Sequence, residues 1–135
     1  MLLDALAAHI AANGHGVVGT DLFKSQIPDS PDFAIGLFEY PGLPSTKAFG
    51  TTVLIENARF QVMVRSSRPG TANAYVTARN KAEAIYVLLD GAGKLTLSGK
   101  VYYYIEALGP PSPLGEDDNK RQLITCNYAV NKEVG

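Results

Sequence analysis

The sequence predicts an α+β fold, a two-layer sandwich in which two helices pack on a mostly antiparallel sheet of about five strands. Three observations lead there. Helical periodicity appears in two stretches, at the N-terminus and in the middle of the chain. The rest is rich in β-formers, in runs rather than in strict strand–helix alternation. The prolines fall four within 28–44, one at 69 and three within 110–113, which leaves four uninterrupted stretches and no internal repeat. One domain over 1–135 is expected.

Residues 1–13 (MLLDALAAHIAAN) read as the first helix. Leu2, Leu6 and Ile10 recur every fourth residue, with Leu3 and Ala7 on the same flank, in a narrow stripe suited to lying on a sheet. Asn13-Gly14 is a fitting stop. Strands are expected within 33–65. Phe33 to Tyr40 puts Phe33, Ile35 and Leu37 on one face. Residues 51–65 read as two strands, because Val53 and Ile55 share one parity while Phe60, Val62 and Val64 share the other; Glu56-Asn57-Ala58 would make the turn. Residues 71–90 carry the strongest helical signal, with Tyr75, Ala78, Ala82, Ile85 and Leu89 on one face, Thr71 as N-cap and Gly91 just past the end. Strands within 95–131 complete the set. Lys94 to Leu97 is either a strand of its own or the start of the next. Val101-Tyr-Tyr-Tyr-Ile105 is apolar or aromatic on both faces, which implies cover on both sides, by a helix or by a neighbouring subunit.

Composition excludes several classes of function. With 46% hydrophobic and 19% charged residues the chain is not disordered, and a net charge of -1 leaves no broad basic field for gripping DNA. No apolar run approaches the ~20 residues of a membrane span. Met-Leu-Leu-Asp lacks the basic start of a secretory signal, so a cytosolic domain without membrane contact is expected. The single cysteine, Cys126, sits inside a strand pattern and reads as a buried structural thiol.

Catalytic chemistry finds little to work with. His9 and His15 are the only histidine bases, and neither has a carboxylate at a spacing that implies a triad. A small hydrolase or nuclease would have to use one of them. Their six-residue separation is not a helical metal-ligand spacing, and Glu116-Asp-Asp-Asn119 lacks the ligand pattern of a calcium loop. Gly14-His-Gly-Val-Val-Gly19 matches a dinucleotide fingerprint in letters only, since it follows a helix and opens none. Arg59, Arg65, Arg68 and Arg79 are dispersed over different elements. No cofactor, no metal and no enzyme activity are expected. What does stand out is apolar surface: residues 14–32 are loop-like yet carry Val17, Val18, Leu22, Phe23 and Ile27. They pack either on the chain's own sheet or on a second molecule.

Four passages carry a family likeness. They are Gly19-Thr-Asp-Leu-Phe23, with Pro28-Asp-Ser-Pro-Asp32 and Ala34-Ile-Gly-Leu-Phe-Glu-Tyr-Pro-Gly42 behind it; Phe60-Gln-Val-Met-Val-Arg65; Lys81-Ala-Glu-Ala-Ile-Tyr-Val-Leu-Leu-Asp-Gly91; and Tyr103-Tyr-Ile-Glu-Ala-Leu-Gly-Pro110 with Pro113 to Arg121. In their order and spacing the chain resembles the minor capsid and tail-terminator proteins of tailed bacteriophages with long non-contractile tails. The segment 41–50 is short beside a loop that varies in that family, so contacts made there do not carry over.

The resemblance implies a structural virion protein. It would form a homo-oligomeric ring, a hexamer, at the head-proximal end of the tail, stopping growth of the tube and docking it to the neck. Its partners would be its own copies, the major tail tube protein and a neck or connector protein, with DNA passing through the lumen without specific binding. It would sit at the tail–head junction of the virion after assembly in the host cytoplasm. Another neck role, head closure or head–tail joining, is the alternative. Within that picture Leu22, Phe23, Tyr102 and Tyr104 (or, in their place, Tyr103) are candidate subunit contacts. The 41–50 and 66–70 loops and the 109–121 segment are candidate partner contacts, and Arg65 and Arg121 would pair with Glu116 or Asp117 across subunits.

Overall fold

Periodicity places the helices where expected. In the computed structural model, which describes residues 2–47 and 53–133, α1 spans Leu2–Ala12 and α2 spans Ala74–Leu89. Leu2, Leu3, Leu6, Ala7 and Ile10 are buried as the spacing requires, and Ala5 joins them, so the apolar stripe of α1 is broader than predicted. On α2 Ala78, Ala82, Ile85 and Leu89 are buried, whereas Tyr75 is 38% exposed. Nor does Thr71 cap this helix. Its carbonyl is taken by Ala74 N–H in a preceding turn, and Asn73, left-handed at φ 58°, occupies the N-cap without a side-chain bond. Gly91, at φ 73°, stands where the helix stops.

The strands are β1 (Leu22–Lys24), β2 (Ala34–Lys47), β3 (Val53–Arg65), β4 (Leu95–Leu97), β5 (Lys100–Ala107), β6 (Ser112–Glu116) and β7 (Gln122–Glu133). They form one sheet in the order β1-β2-β3-β7-β5-β4, with β6 also paired to β7. The α+β class with two helices stands. The sheet, however, has seven strands rather than about five, and it is mixed, because β1 runs parallel to β2. The two additions lie in segments that read as loops: β1 is three residues long, and β6 contains Pro113 and Gly115.

Residues 53–65 are one strand, not two. Its pairing to β7 runs without a break from Ile55↔Glu133 to Arg65↔Leu123, and Glu56-Asn57-Ala58 lies inside it. The register shifts fall instead on β2, between Tyr40, Leu43, Thr46 and Lys47. Phe60, Val62 and Val64 lie in the core under the helices, with Ala58 packed against it, so these even-numbered positions of β3 face inward. The remainder of the 41–50 segment, from residue 48, lies outside the described residues.

A single core unites both helices with one sheet face. Register puts Leu37, Val62 and Cys126 on that face, as it does Ile35, Val64 and Ile124. Phe60 and Tyr128 stack at its centre, ring centroids 5.0 Å apart. The sheet curls around this core, and α1 packs against β1, β2 and β4, strands near its opposite edges. A two-residue left-handed turn, Ser98-Gly99, joins β4 to β5 and makes the short β4 a strand of its own.

Candidate assembly surface

Strand alternation gives the sheet a second, outer face, opposite the helices. Across it run rows of mostly uncharged side chains: Phe38, Gln61 and Asn127; then Tyr40, Arg59, Ala129 and Glu106; then Asn57, Asn131 and Tyr104. Gln61 Nε2 donates to Asn127 Oδ1 at 3.1 Å, and Asn131 Nδ2 donates to Asn57 Oδ1. The Arg59 guanidinium lies 5.9 Å from the centre of the Tyr40 ring. Phe38, Glu39, Tyr40, Gln61 and Asn127 line a shallow hollow of about 230 Å³.

On β5 the pairing to β7 slips by one residue between Tyr102 and Tyr104. That bulge breaks the alternation expected of three consecutive tyrosines. Tyr102 is buried in the core, 2% exposed, while Tyr103 and Tyr104 are both 43% exposed. The inner cover predicted for this strand is present, whereas among the described residues these two rings are only partly covered. Of the candidate contacts, Tyr102 is therefore core, and so is Leu22, which β1 presents to the helix side opposite Ile35. Phe23, one residue on, falls on the outer face and is half-buried. Val17 and Val18 remain exposed.

At one end of the outer face, residues 25–33 cross over the sheet. They are held by two arginines whose predicted partners lay in other subunits. Arg65 is 5% exposed and donates from Nε to Asp32 O at 2.9 Å and from Nη2 to Pro28 O and Pro31 O, each at 2.6 Å. Arg121 is 3% exposed, with ion pairs to Asp117 at 2.7 Å, Asp29 at 2.9 Å and Asp32 at 3.1 Å. Glu116 takes no part in these ion pairs. Each arginine is thus spent within its own chain. Burial alone would raise the Asp117 carboxyl's pKa, but hydrogen bonds from the Arg121 backbone and guanidinium overcome it and leave the value lowered. Burial lowers the Arg65 pKa, and repulsion from Arg121 adds to that.

Asp29 and Asp32 were missed by sequence reasoning. The signal was Pro28-Asp-Ser-Pro-Asp32, two acids three apart, each directly after a proline. Lys132 was missed as well; it is 3% exposed, 3.0 Å from Glu56 and 5.8 Å from the centre of the Tyr102 ring.

The candidate partner-contact segments occupy two ends of the sheet. Residues 66–70 and 109–121 converge beside the N-terminus of α2, where Ser66, Ser67, Pro69, Tyr75, Glu116 and Lys120 line a hollow of about 390 Å³. The strand portion of 41–50 sits at the far end of β2 and β3. The 13 residues of β3 separate the ends by about 40 Å at ~3.3 Å per residue.

Groups with catalytic potential are quiet. Burial lowers the pKa of both His9 and His15, and burial raises that of the Cys126 thiol, which donates to Gly109 O at 3.3 Å. Among the described residues no three His, Cys, Asp or Glu side chains are placed to hold a metal ion, and no helix is long and apolar enough to cross a membrane.

A solved structure superimposes on the chain with a TM-score of 0.52 at 15% identity, covering 96% of this chain and 89% of that one, which supports the fold alone. No curated protein matches the chain. A family model described as bacteriophage tail terminator protein matches residues 9–134.

Proposed function

Because the chain belongs to the bacteriophage tail terminator family, a family of structural phage proteins, we propose that it closes the head-proximal end of a tail tube as a ring of six copies. The observation that supports this most directly is the placement of the candidate contact segments at opposite ends of one long sheet. A protein that stops a tube and receives a neck needs two docking ends on a rigid body, and β3 paired along its length to β7 is such a body. One end would meet the major tail tube protein and the other a neck or connector protein. Phe23, Tyr103 and Tyr104 are the side chains proposed for contact with neighbouring copies. A net charge of -1 suits a lumen through which DNA slides unheld. The protein would then reside at the tail–head junction of the virion, reached by assembly in the host cytoplasm. No observation favours the head-closure or hydrolase alternatives.

Electron microscopy of a phage with a nonsense mutation in this gene tests the reading. Overlong tails detached from heads are expected. Tails of normal length would overturn it, and leaking heads beside normal free tails would assign the protein to head closure instead.

A further inference from the structure

We propose that residues 25–33 are a charge-latched strap, which swings off the outer sheet face while the helix-covered core stays folded. Ser25 N–H donates to Leu37 O and Ile35 N–H to Asp21 O, each at 2.7 Å. Between those anchors no backbone–backbone hydrogen bond ties the segment down among the described residues. Its carbonyls at Pro28, Asp29, Pro31 and Asp32 are satisfied by the Arg65 and Arg121 guanidiniums instead. Ser25, left-handed at φ 66°, marks the hinge where the chain leaves β1.

The latch is polar, with three cations balanced by three anions. Arg65 from the end of β3, Arg68 from the loop after it and Arg121 from the start of β7 face Asp29 and Asp32 on the strap and Asp117 on the β6–β7 turn. Asn119 Nδ2 adds a bond to Asp29 Oδ1 at 3.3 Å. Removing the strap's carboxylates leaves buried guanidiniums facing one another with a single counter-charge, a change that touches nothing on the helix side. The apolar hold on the outer face is small, and Phe33, where the strap rejoins β2, packs against the core and forms the fixed end. Ile27 rests on Gly36, where a Cβ would collide with Ile27 Cγ1 and lie 2.8 Å from both Ile27 Cδ1 and the Phe38 ring. Gly36 has an ordinary strand backbone, so the absent side chain makes room for the strap. A segment with few apolar contacts and no ladder opens at a lower free energy than the sheet beneath it. Opening uncovers the outer side of β1 and β2, next to the amide rows. The inference does not depend on ring formation.

Native-state proteolysis of the full chain at neutral pH, using a broad-specificity protease with cut sites read by mass spectrometry, tests this. The first cuts are expected within 25–33, at a rate nearly independent of urea below the unfolding transition. The double variant Asp29→Asn/Asp32→Asn and, separately, Gly36→Ala should raise that rate at least tenfold, with the β3 and β7 cut rates and the far-ultraviolet spectrum unchanged. The proposal is overturned if strap cleavage shows the urea dependence of global unfolding in the wild type. It is equally overturned if Gly36→Ala leaves the strap rate unchanged, or if the strap and β7 rates rise together.

Discussion

On the inner side of the β3–β7 pair Phe60 stacks on Tyr128, and both are fully buried. On the outer side, Gln61 bonds Asn127 one residue along each strand, and Asn131 bonds Asn57 three residues the other way. The backbone ladder is common to both, so the side chains alone make one face a core and the other a surface. The inner face is stabilised by the apolar area it removes from water. The outer rows gain little from water, since each amide exchanges a solvent bond for a lateral one. What they retain is a largely uncharged sheet surface flanked by two exposed tyrosines, one that loses little when another protein covers it.

Adjacent truncations break the comparison if it is wrong. Phe60→Ala should destabilise the fold by about 3–5 kcal/mol, because the ring leaves a cavity against Tyr128. Arg59→Ala, one residue away on the outer face, should cost under about 1 kcal/mol. Urea denaturation of both variants decides the matter, and equal costs would mean that the outer rows are as much a part of the core as the inner ones.

The strap end of the outer face departs from this pattern, because charge rather than amide pairing fills it. Asp117 has a lowered pKa in the folded chain, so its ionised form favours folding. A depressed carboxyl contributes stability that is fully present above its unfolded pKa of about 4 and is lost as pH falls through the folded value. Asp117→Asn should therefore cost about 1 kcal/mol at pH 7, the net scale of a typical hydrogen bond at a partly exposed site. Below the folded pKa the two proteins should converge. Denaturation midpoints from pH 7 down to the acid limit of solubility measure that convergence; a gap that persists unchanged would assign the cost to packing instead.

Residues with periodic burial announced themselves in the sequence. Ala78, Ala82, Ile85 and Leu89 sit on one helical face wherever the helix docks, and Ile35, Leu37, Val62 and Val64 show the two-residue period of a half-covered sheet. What stayed hidden was decided by pairing with distant strands. The two-strand reading of 51–65 failed because β7 holds Glu56-Asn57-Ala58 in register, a partner no local pattern discloses. Tyr102, Tyr103 and Tyr104 look interchangeable as letters, and a one-residue slip against β7 sends the first inward and the other two out. Arg65 and Arg121 were expected to pair across subunits, and the structure pairs both within the chain. Asp117 was named as a partner and does pair with Arg121, though within the chain, whereas Asp29 and Asp32 stayed hidden because they lie more than 30 residues away in sequence and their approach depends on where the strap crosses the sheet.

The smallest effect on stability is expected where the largest effect on assembly is proposed. Tyr103 and Tyr104 are both 43% exposed, so Tyr103→Ser and Tyr104→Ser should each shift unfolding by no more than about 0.5 kcal/mol. Tyr102→Ser is the internal control. Its ring is buried beside the Lys132 ammonium, and its loss should destabilise the isolated protein by about 3 kcal/mol or more. Exposed tyrosines bring large contact area at low entropic cost and are over-represented among the residues that dominate protein interfaces. If they join neighbouring copies, the double variant Tyr103→Ser/Tyr104→Ser should fold normally yet yield particles with a broadened tail-length distribution. Normal tails from a normally folded double variant would remove these rings from the interface and leave Phe23 and the two ends of the sheet to hold the ring together.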